Sequence, residues 1–255
     1  MSKISDIKKT LNLLLKKRLD NVDKISGLEN KVVMITGASK GLGFATGMYL
    51  LNQGCKVIFS ARNTVEIKDE LSQKNVERYL LIDTDIQDTA QINKAVESGL
   101  QKFGHIDVLI NNAGIFTHEP FIEANESIDL TIDTNIKGTI NTTKAVLKDM
   151  LKRKSGLIIN IGSKISHNSN VQPNKVLYAT SKYAIEGFSY ALNRELKDYN
   201  VRVVCLMPGT INSFVSLKSG EYMAPTKVAQ IIAMIMSFED IDFEGIIFKS
   251  ALQDI

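Results

Sequence analysis

Lys31-Val-Val-Met-Ile-Thr-Gly-Ala-Ser-Lys-Gly-Leu-Gly43 decides the fold. A short run of β-forming residues leads into a loop with glycines at 37, 41 and 43. Beyond it Leu42, Ala45, Tyr49 and Leu50 recur at helical spacing. A strand that turns through glycines into a helix lets the backbone approach a pyrophosphate, and the helix N-terminus adds free N–H groups and a positive dipole end. The spacing is G-x-x-x-G-x-G rather than the G-x-G-x-x-G of the common dinucleotide fingerprint. The alternative is a glycine-rich turn that binds nothing.

The alternation continues outward. Apolar, strand-like runs lie at 31–36, 56–60, 79–82 with its flanks, 107–110, 156–161, 201–206 and 245–249. Helical patterns lie between them at 65–73 (weak), 89–103, 121–152 (broken near its start), 178–198 and 226–237. Strands separated by helices of this length imply right-handed crossovers and a seven-stranded parallel sheet covered on both faces. No repeat or second composition regime interrupts it. The expected division is a basic extension and linker at 1–27 and a single domain at 28–255, with the polar stretch 21–30 read as linker.

Composition is ordinary for a globular chain: 44% hydrophobic, 23% charged, no Trp. The net charge of +3 is unevenly spread. Seven basic and three acidic residues in 1–24 leave the remaining chain at −1, so the body offers no argument for nucleic acid. Residues 4–19 place Ile4, Ile7, Leu11, Leu14, Leu15 and Leu19 on one helical stripe opposite lysines. Such a helix packs on its own domain or a sister subunit, or makes peripheral contact with an anionic membrane. No apolar run reaches the ~18 residues of a membrane span. Cys55 and Cys205 beside or within strand runs read as buried reduced thiols of a cytoplasmic protein, and no metal site is expected.

Tyr178 and Lys182 stand four apart, one turn of a helix. An ammonium beside a phenol favours the phenolate, which fits a tyrosine for proton transfer near neutral pH. A chain with this many tyrosines and lysines holds about one such pair by chance. Its weight comes from the glycine loop and from Ser163, 15 residues upstream. The second strand ends Ser60-Ala61-Arg62, with an arginine where a carboxylate would hold a ribose 2′-hydroxyl. Arg62, with Lys40, is matched to a 2′-phosphate, so NADP(H) is the expected cofactor.

TGASKGLG (36–43), NNAG (111–114), Asn135, Ser163, YATSK (178–182) and PGTINS (208–213), in that order, resemble the short-chain dehydrogenase/reductase family over roughly residues 28–249. The resemblance implies a doubly wound, Rossmann-type sheet and an oxidoreductase that interconverts carbonyls and alcohols, built as a homodimer or homotetramer. It implies Tyr178 as general acid/base, Lys182 as the group that favours its phenolate and holds the nicotinamide ribose, Ser163 as donor to the substrate oxygen, and Asn135 as anchor of a relay water. For Ser163 the competing residue is Ser166, which stands further from the strand end. Gly37, Ser39, Lys40, Gly41, Leu42 and Gly43 would cradle the cofactor phosphates. Asp85 and Ile86 would meet the adenine, and the Asn112, Ala113 and Gly114 turn is where the backbone would meet the cofactor. Pro208, Gly209, Ile211 and Ser213 would meet the nicotinamide and nearby phosphate.

Two departures bear on the substrate. The Ser163–Tyr178 interval is about two residues longer than the family pattern and contains His167, Asn168, Ser169 and Asn170, which implies a polar or partly polar substrate. His167 reads as a solvated loop residue, the alternative being a second acid. The segment between Ser213 and Pro225 is short, against deep enclosure of a large apolar ligand. The competing functions are a non-catalytic NADP(H)-binding sensor on the same fold, an NAD-linked alcohol dehydrogenase, and an epimerase or dehydratase.

Overall fold

The computed structural model describes residues 24–72, 74–167, 171–212, 222–243 and 245–251. The amphipathic stretch 4–19, Ser213 and Asn168 to Asn170 lie outside the described residues. The apolar runs form β1 (Val32–Thr36), β2 (Lys56–Ala61), β3 (Tyr79–Asp83), β4 (Val108–Asn111), β5 (Gly156–Ile161), β6 (Val201–Pro208) and β7 (Gly245–Phe248). All pair in parallel, in the order β3-β2-β1-β4-β5-β6-β7. The order reverses between β1 and β4, and the carboxyl ends of those strands open the crevice where a doubly wound sheet binds its ligand.

Strand residues alternate between two cores. Val33 and Ile35 face α1 (Gly41–Asn52) and α7 (Pro225–Ser237), which supply Met48, Leu50, Val228 and Ile232. Val32 and Met34 face α3 (Thr89–Phe103) and α5 (Thr139–Arg153), which supply Val96, Phe103, Val146 and Met150. Burial on both sides is why these strands read as continuous apolar runs rather than alternating ones. Asp88 caps α3 by accepting from the Ala90 and Gln91 amides, and Gly104 at φ 86° ends it.

Several boundaries differ from the sequence reading. β6 runs through Met207 and Pro208 because these pair with Ile247 and Phe248 of β7. The weak helix at 65–73 is a 3-10 turn (Val65–Ile67) followed by the single turn α2 (Lys68–Leu71). Leu28, inside the stretch read as a linker, is fully buried, and the Ile25 amide donates to Gln53 Oε1 at 2.8 Å. The catalytic-motif helix α6 (Val176–Glu195) starts and stops earlier than 178–198, followed by a 3-10 turn at Lys197–Tyr199. The largest difference lies at 121–152. A 3-10 turn (Phe121–Glu123), α4 (Glu126–Thr131), a π-helical turn (Ile132–Gly138) and α5 replace one long helix. A π-turn widens the backbone locally and turns side chains off the regular helical face. Here it sits where Gly138 meets Ile86, so closely that a Cβ on Gly138 would stand 2.6 Å from Ile86 Cδ1.

Candidate active site

The glycine turn is locked to the β4 end by one threonine. Thr36 Oγ1 accepts from the Asn112 amide at 3.1 Å and the Ala113 amide at 3.0 Å. Asn112 Nδ2 donates back to the carbonyls of Thr36 and Gly37. Gly37 has φ 64°, and a Cβ there would lie 2.8 Å from Ala113 Cα. A Cβ on Gly43 would lie 2.5 Å from Gly37 O. Both glycines are therefore required by contact between two backbones. Ser39 is half-buried, Gly41 has φ 57°, and Leu42 is buried at the start of α1. Lys40, the exposed N-cap of α1, makes no side-chain cap hydrogen bond, so no capping side chain takes the amides of the first turn. Thr36 was missed in the sequence reading; its signal was a hydroxyl at the last position of an otherwise apolar strand.

Asn135 is 2% exposed and spends its whole amide on protein. Oδ1 accepts from the Ile115 amide at 2.8 Å, and Nδ2 donates to Ile115 O and to Ser181 Oγ, both at 3.0 Å. Ser181 Oγ in turn donates to Tyr178 O. One side chain thus braces the turn after β4, the π-turn and α6. Buried Lys182 donates from Nζ to Ile161 O at 2.8 Å and stands 5.6 Å from the Tyr178 ring centroid. The space above Gly114 is bounded by Asn135 Oδ1 and Lys182 Nζ. Tyr178 is half-buried, and the Phe116 ring meets it edge-on at 4.9 Å. Ser163 follows β5; its Oγ accepts from the Ile165 amide at 3.3 Å. That bond uses an oxygen lone pair and leaves the Ser163 proton to donate. Ser166 Oγ instead donates to Ser163 O at 2.9 Å and is buried. The four residues named for catalysis therefore converge on one region, at the carboxyl ends of β4 and β5.

The remaining positions divide. Arg62 follows β2, is exposed, and has no hydrogen bond or ion pair among the described residues. Asp83, at the end of the adjacent β3, accepts from both the amide and the hydroxyl of Thr64 at 2.8 Å. Asp85 is held by local bonds: its amide donates to Gln91 Oε1 and its Oδ1 accepts from the Gln87 amide. Ile86 is 6% exposed and packs beneath Gly138. Pro208 ends β6, and the Gly209 amide donates to Phe248 O at 2.7 Å. Ile211 bridges to Met223. Cys205 lies under the site, fully buried and free, and burial pushes its thiol up to about 11; Cys55 is likewise buried and pushed up to about 12. Among the described residues no cluster of His, Cys, Asp or Glu is placed to hold a metal ion. No helix among the described residues is long and apolar enough to cross a membrane.

His167 is not simply solvated. It closes the 3-10 turn Lys164–His167, and its Nε2 meets Glu186 Oε1 of α6 at 2.5 Å.

Known proteins resemble this chain in sequence and fold. The family model described as short chain dehydrogenase matches residues 31–223. An uncharacterized oxidoreductase of Staphylococcus saprophyticus is 36% identical over 190 residues, covering 73% of this chain and 80% of its own. The 3-oxoacyl-(acyl-carrier-protein) reductase of Thermotoga maritima is 33% identical over 232 residues, covering 83% of this chain and 92% of its own. Among solved structures, the 3-ketoacyl-(acyl-carrier-protein) reductase of Brucella melitensis complexed with NADH superposes with TM-score 0.80 at 24% identity, over 89% of this chain and 99% of that one. ElxO with NADP bound superposes with TM-score 0.76 at 26% identity, over 87% and 97%.

Proposed function

The chain belongs to the short-chain dehydrogenase/reductase family, and from that premise we propose that it is an NADP(H)-dependent reductase of small carbonyl compounds. The observation that carries this reading is the convergence of Tyr178, Lys182, Ser163 and Asn135. When bound, the nicotinamide cofactor supplies the hydride. Ser163 donates its free proton to the substrate oxygen as charge develops there. Tyr178 delivers a proton to the same oxygen. Lys182, oriented by Ile161 O, keeps positive charge beside the phenol and has further N–H groups for the cofactor ribose. Asn135 holds the Ile115 and Ser181 sides of the site at fixed separation.

The residues present fit a dinucleotide. Gly37 and Gly43 let the turn after β1 pack directly against Ala113 and Asn112, beside an α1 N-terminus whose cap makes no side-chain bond. The choice of NADP(H) rests on Arg62. It follows β2 without a partner among the described residues, Lys40 is exposed in the glycine loop, and Asp83 is occupied by Thr64. ElxO, with NADP bound, supports the same choice, whereas the Brucella reductase holds NADH. We place the enzyme in the cytoplasm as a homodimer or homotetramer. Exposed Leu130, Ile132 and Ile140, and Val176 and Tyr183 on the adjacent α6, offer apolar surface for a second copy.

The test measures dissociation constants for NADPH and NADH, then oxidation of the preferred cofactor against ketones, aldehydes, quinones and 3-oxoacyl thioesters. Arg62→Ala is expected to weaken NADPH about ten- to a hundredfold with little effect on NADH. Tighter NADH than NADPH binding by the unaltered protein would overturn the cofactor assignment. Cofactor binding without turnover of any carbonyl class would favour the sensor.

A further inference from the structure

Glu186 extends the stripe that carries the chemistry. Tyr178, Lys182 and Glu186 are spaced four apart on α6, so their side chains project from one face. Glu186 is 8% exposed, which is unusual for a carboxylate unless it is paired. Its partner is His167, which comes from another element, 19 residues upstream. His167 is the last residue of the turn that begins beside Ser163.

The turn is fastened at its entry, within itself and at its exit. At its entry the Gly162 amide donates to Leu206 O at 2.8 Å. Within it the Ser166 amide and hydroxyl both donate to Ser163 O, at 3.1 and 2.9 Å. At its exit there is His167–Glu186. The first ties the turn to the sheet and the second is internal. The third ties the far end of the turn to the helix that bears Tyr178, while Lys182 Nζ of that helix holds the strand end before the turn through Ile161 O.

We infer that the His167–Glu186 contact is a latch that positions Ser163 relative to Tyr178, so that both hydroxyls address one substrate oxygen. The inference rests on the roles given to Ser163 and Tyr178 under the proposed function, and it assigns His167 and Glu186 as positioning residues. With the latch open, Gly162 keeps its bond to Leu206 O and Lys182 its bond to Ile161 O, but the turn that follows Ser163 is released from α6 at His167. A misplacement near 1 Å costs about a hundredfold in rate. The cofactor turn after β1 is not part of the latch and stays as it is.

The variants are His167→Ala, Glu186→Ala and Glu186→Gln, the last keeping an acceptor oxygen. One readout is independent of turnover: amide hydrogen exchange across residues 163–167. It is expected to speed up about tenfold or more in both alanine variants while the β4 and β5 amides are unchanged. The second readout is steady-state kinetics on the carbonyl that the unaltered protein reduces fastest. The alanine variants are expected to lose about 10- to 100-fold in kcat, with cofactor dissociation constants within about twofold. Glu186→Gln is expected to recover most of that loss. Unchanged exchange in both alanine variants would overturn the latch. So would kcat near that of the unaltered protein, or a glutamine variant as slow as the alanine. If Glu186→Ala does not fold, His167→Ala, with its exposed side chain, answers alone. If the unaltered protein reduces no carbonyl, the proposed function fails, and hydrogen exchange still decides whether the latch holds the turn.

Discussion

Replacing Asn135 with alanine tests whether the site is braced by one amide. The change removes three hydrogen bonds of 2.8–3.0 Å to Ile115 N, Ile115 O and Ser181 Oγ. Each is worth about 0.5–1.5 kcal/mol net, and a buried group left without a partner costs about 1–3 kcal/mol. Asn135 is 2% exposed, so water does not simply replace the amide. The expected loss is about 3–4 kcal/mol. In a domain of this size each kcal/mol moves Tm by about 2–4 °C, so Tm should fall by about 6–16 °C. Ser181→Ala removes one of the three bonds and should cost about 1 kcal/mol. In the Asn135→Ala background it should cost less, because its partner is already gone. The assays are thermal unfolding of the two single variants and the double variant, with cofactor bound and free, together with kcat. Because Ile115 adjoins Gly114, and the space above Gly114 is bounded by Lys182 Nζ, kcat should fall with stability. A Tm within about 2 °C of the unaltered protein, or strictly additive losses in the double variant, would refute the brace.

Three further outcomes follow from the geometry. Tyr178→Phe keeps the ring against Phe116 and removes the proton; turnover should fall at least 100- to 10,000-fold with cofactor affinity nearly unchanged, and residual turnover near the starting rate would remove Tyr178 as the acid. Gly37→Ala should weaken cofactor binding by about tenfold or more, whereas Gly27→Ala should cost only about 1 kcal/mol of stability. Both have positive φ, but only a Cβ at Gly37 meets backbone, so equal effects on cofactor binding would contradict the cradle. Stability should hold up to about pH 9 and then decline, as followed by urea unfolding between pH 7 and 11. Burial raises the Cys55 and Cys205 thiols from 9.0 to about 12 and about 11. The folded state therefore keeps protons that the unfolded state loses above pH 9, a loss of order 2–4 kcal/mol per thiol as pH approaches the folded values. A flat profile to pH 11 would show that neither thiol is held neutral.

The parts of this molecule legible in the sequence are those fixed by neighbours in the chain. The strands show as apolar runs because both faces of the sheet are covered. The Gly37–Gly43 turn shows because glycine marks a conformation other residues avoid. Tyr178 and Lys182 show because four residues make one helical turn. The π-turn at Ile132–Gly138 does not show: its last residue lies against Ile86, some fifty residues away, and helical periodicity carries no trace of that contact. Thr36 shows only as a hydroxyl at a strand end; what it serves, amides 76 and 77 residues on, does not show for the same reason. Glu186 is the intermediate case. Its spacing from Lys182 places it on the catalytic face, and a carboxylate buried there must have a partner. Periodicity on α6 cannot say which residue that is. The answer lies in the Ser163–Tyr178 interval, where the two-residue departure from the family pattern falls. There the turn beside Ser163 ends at His167, within reach of the carboxylate. Under the latch inferred above, the departure that reads as a change of substrate polarity when taken alone also bears on how Ser163 is held.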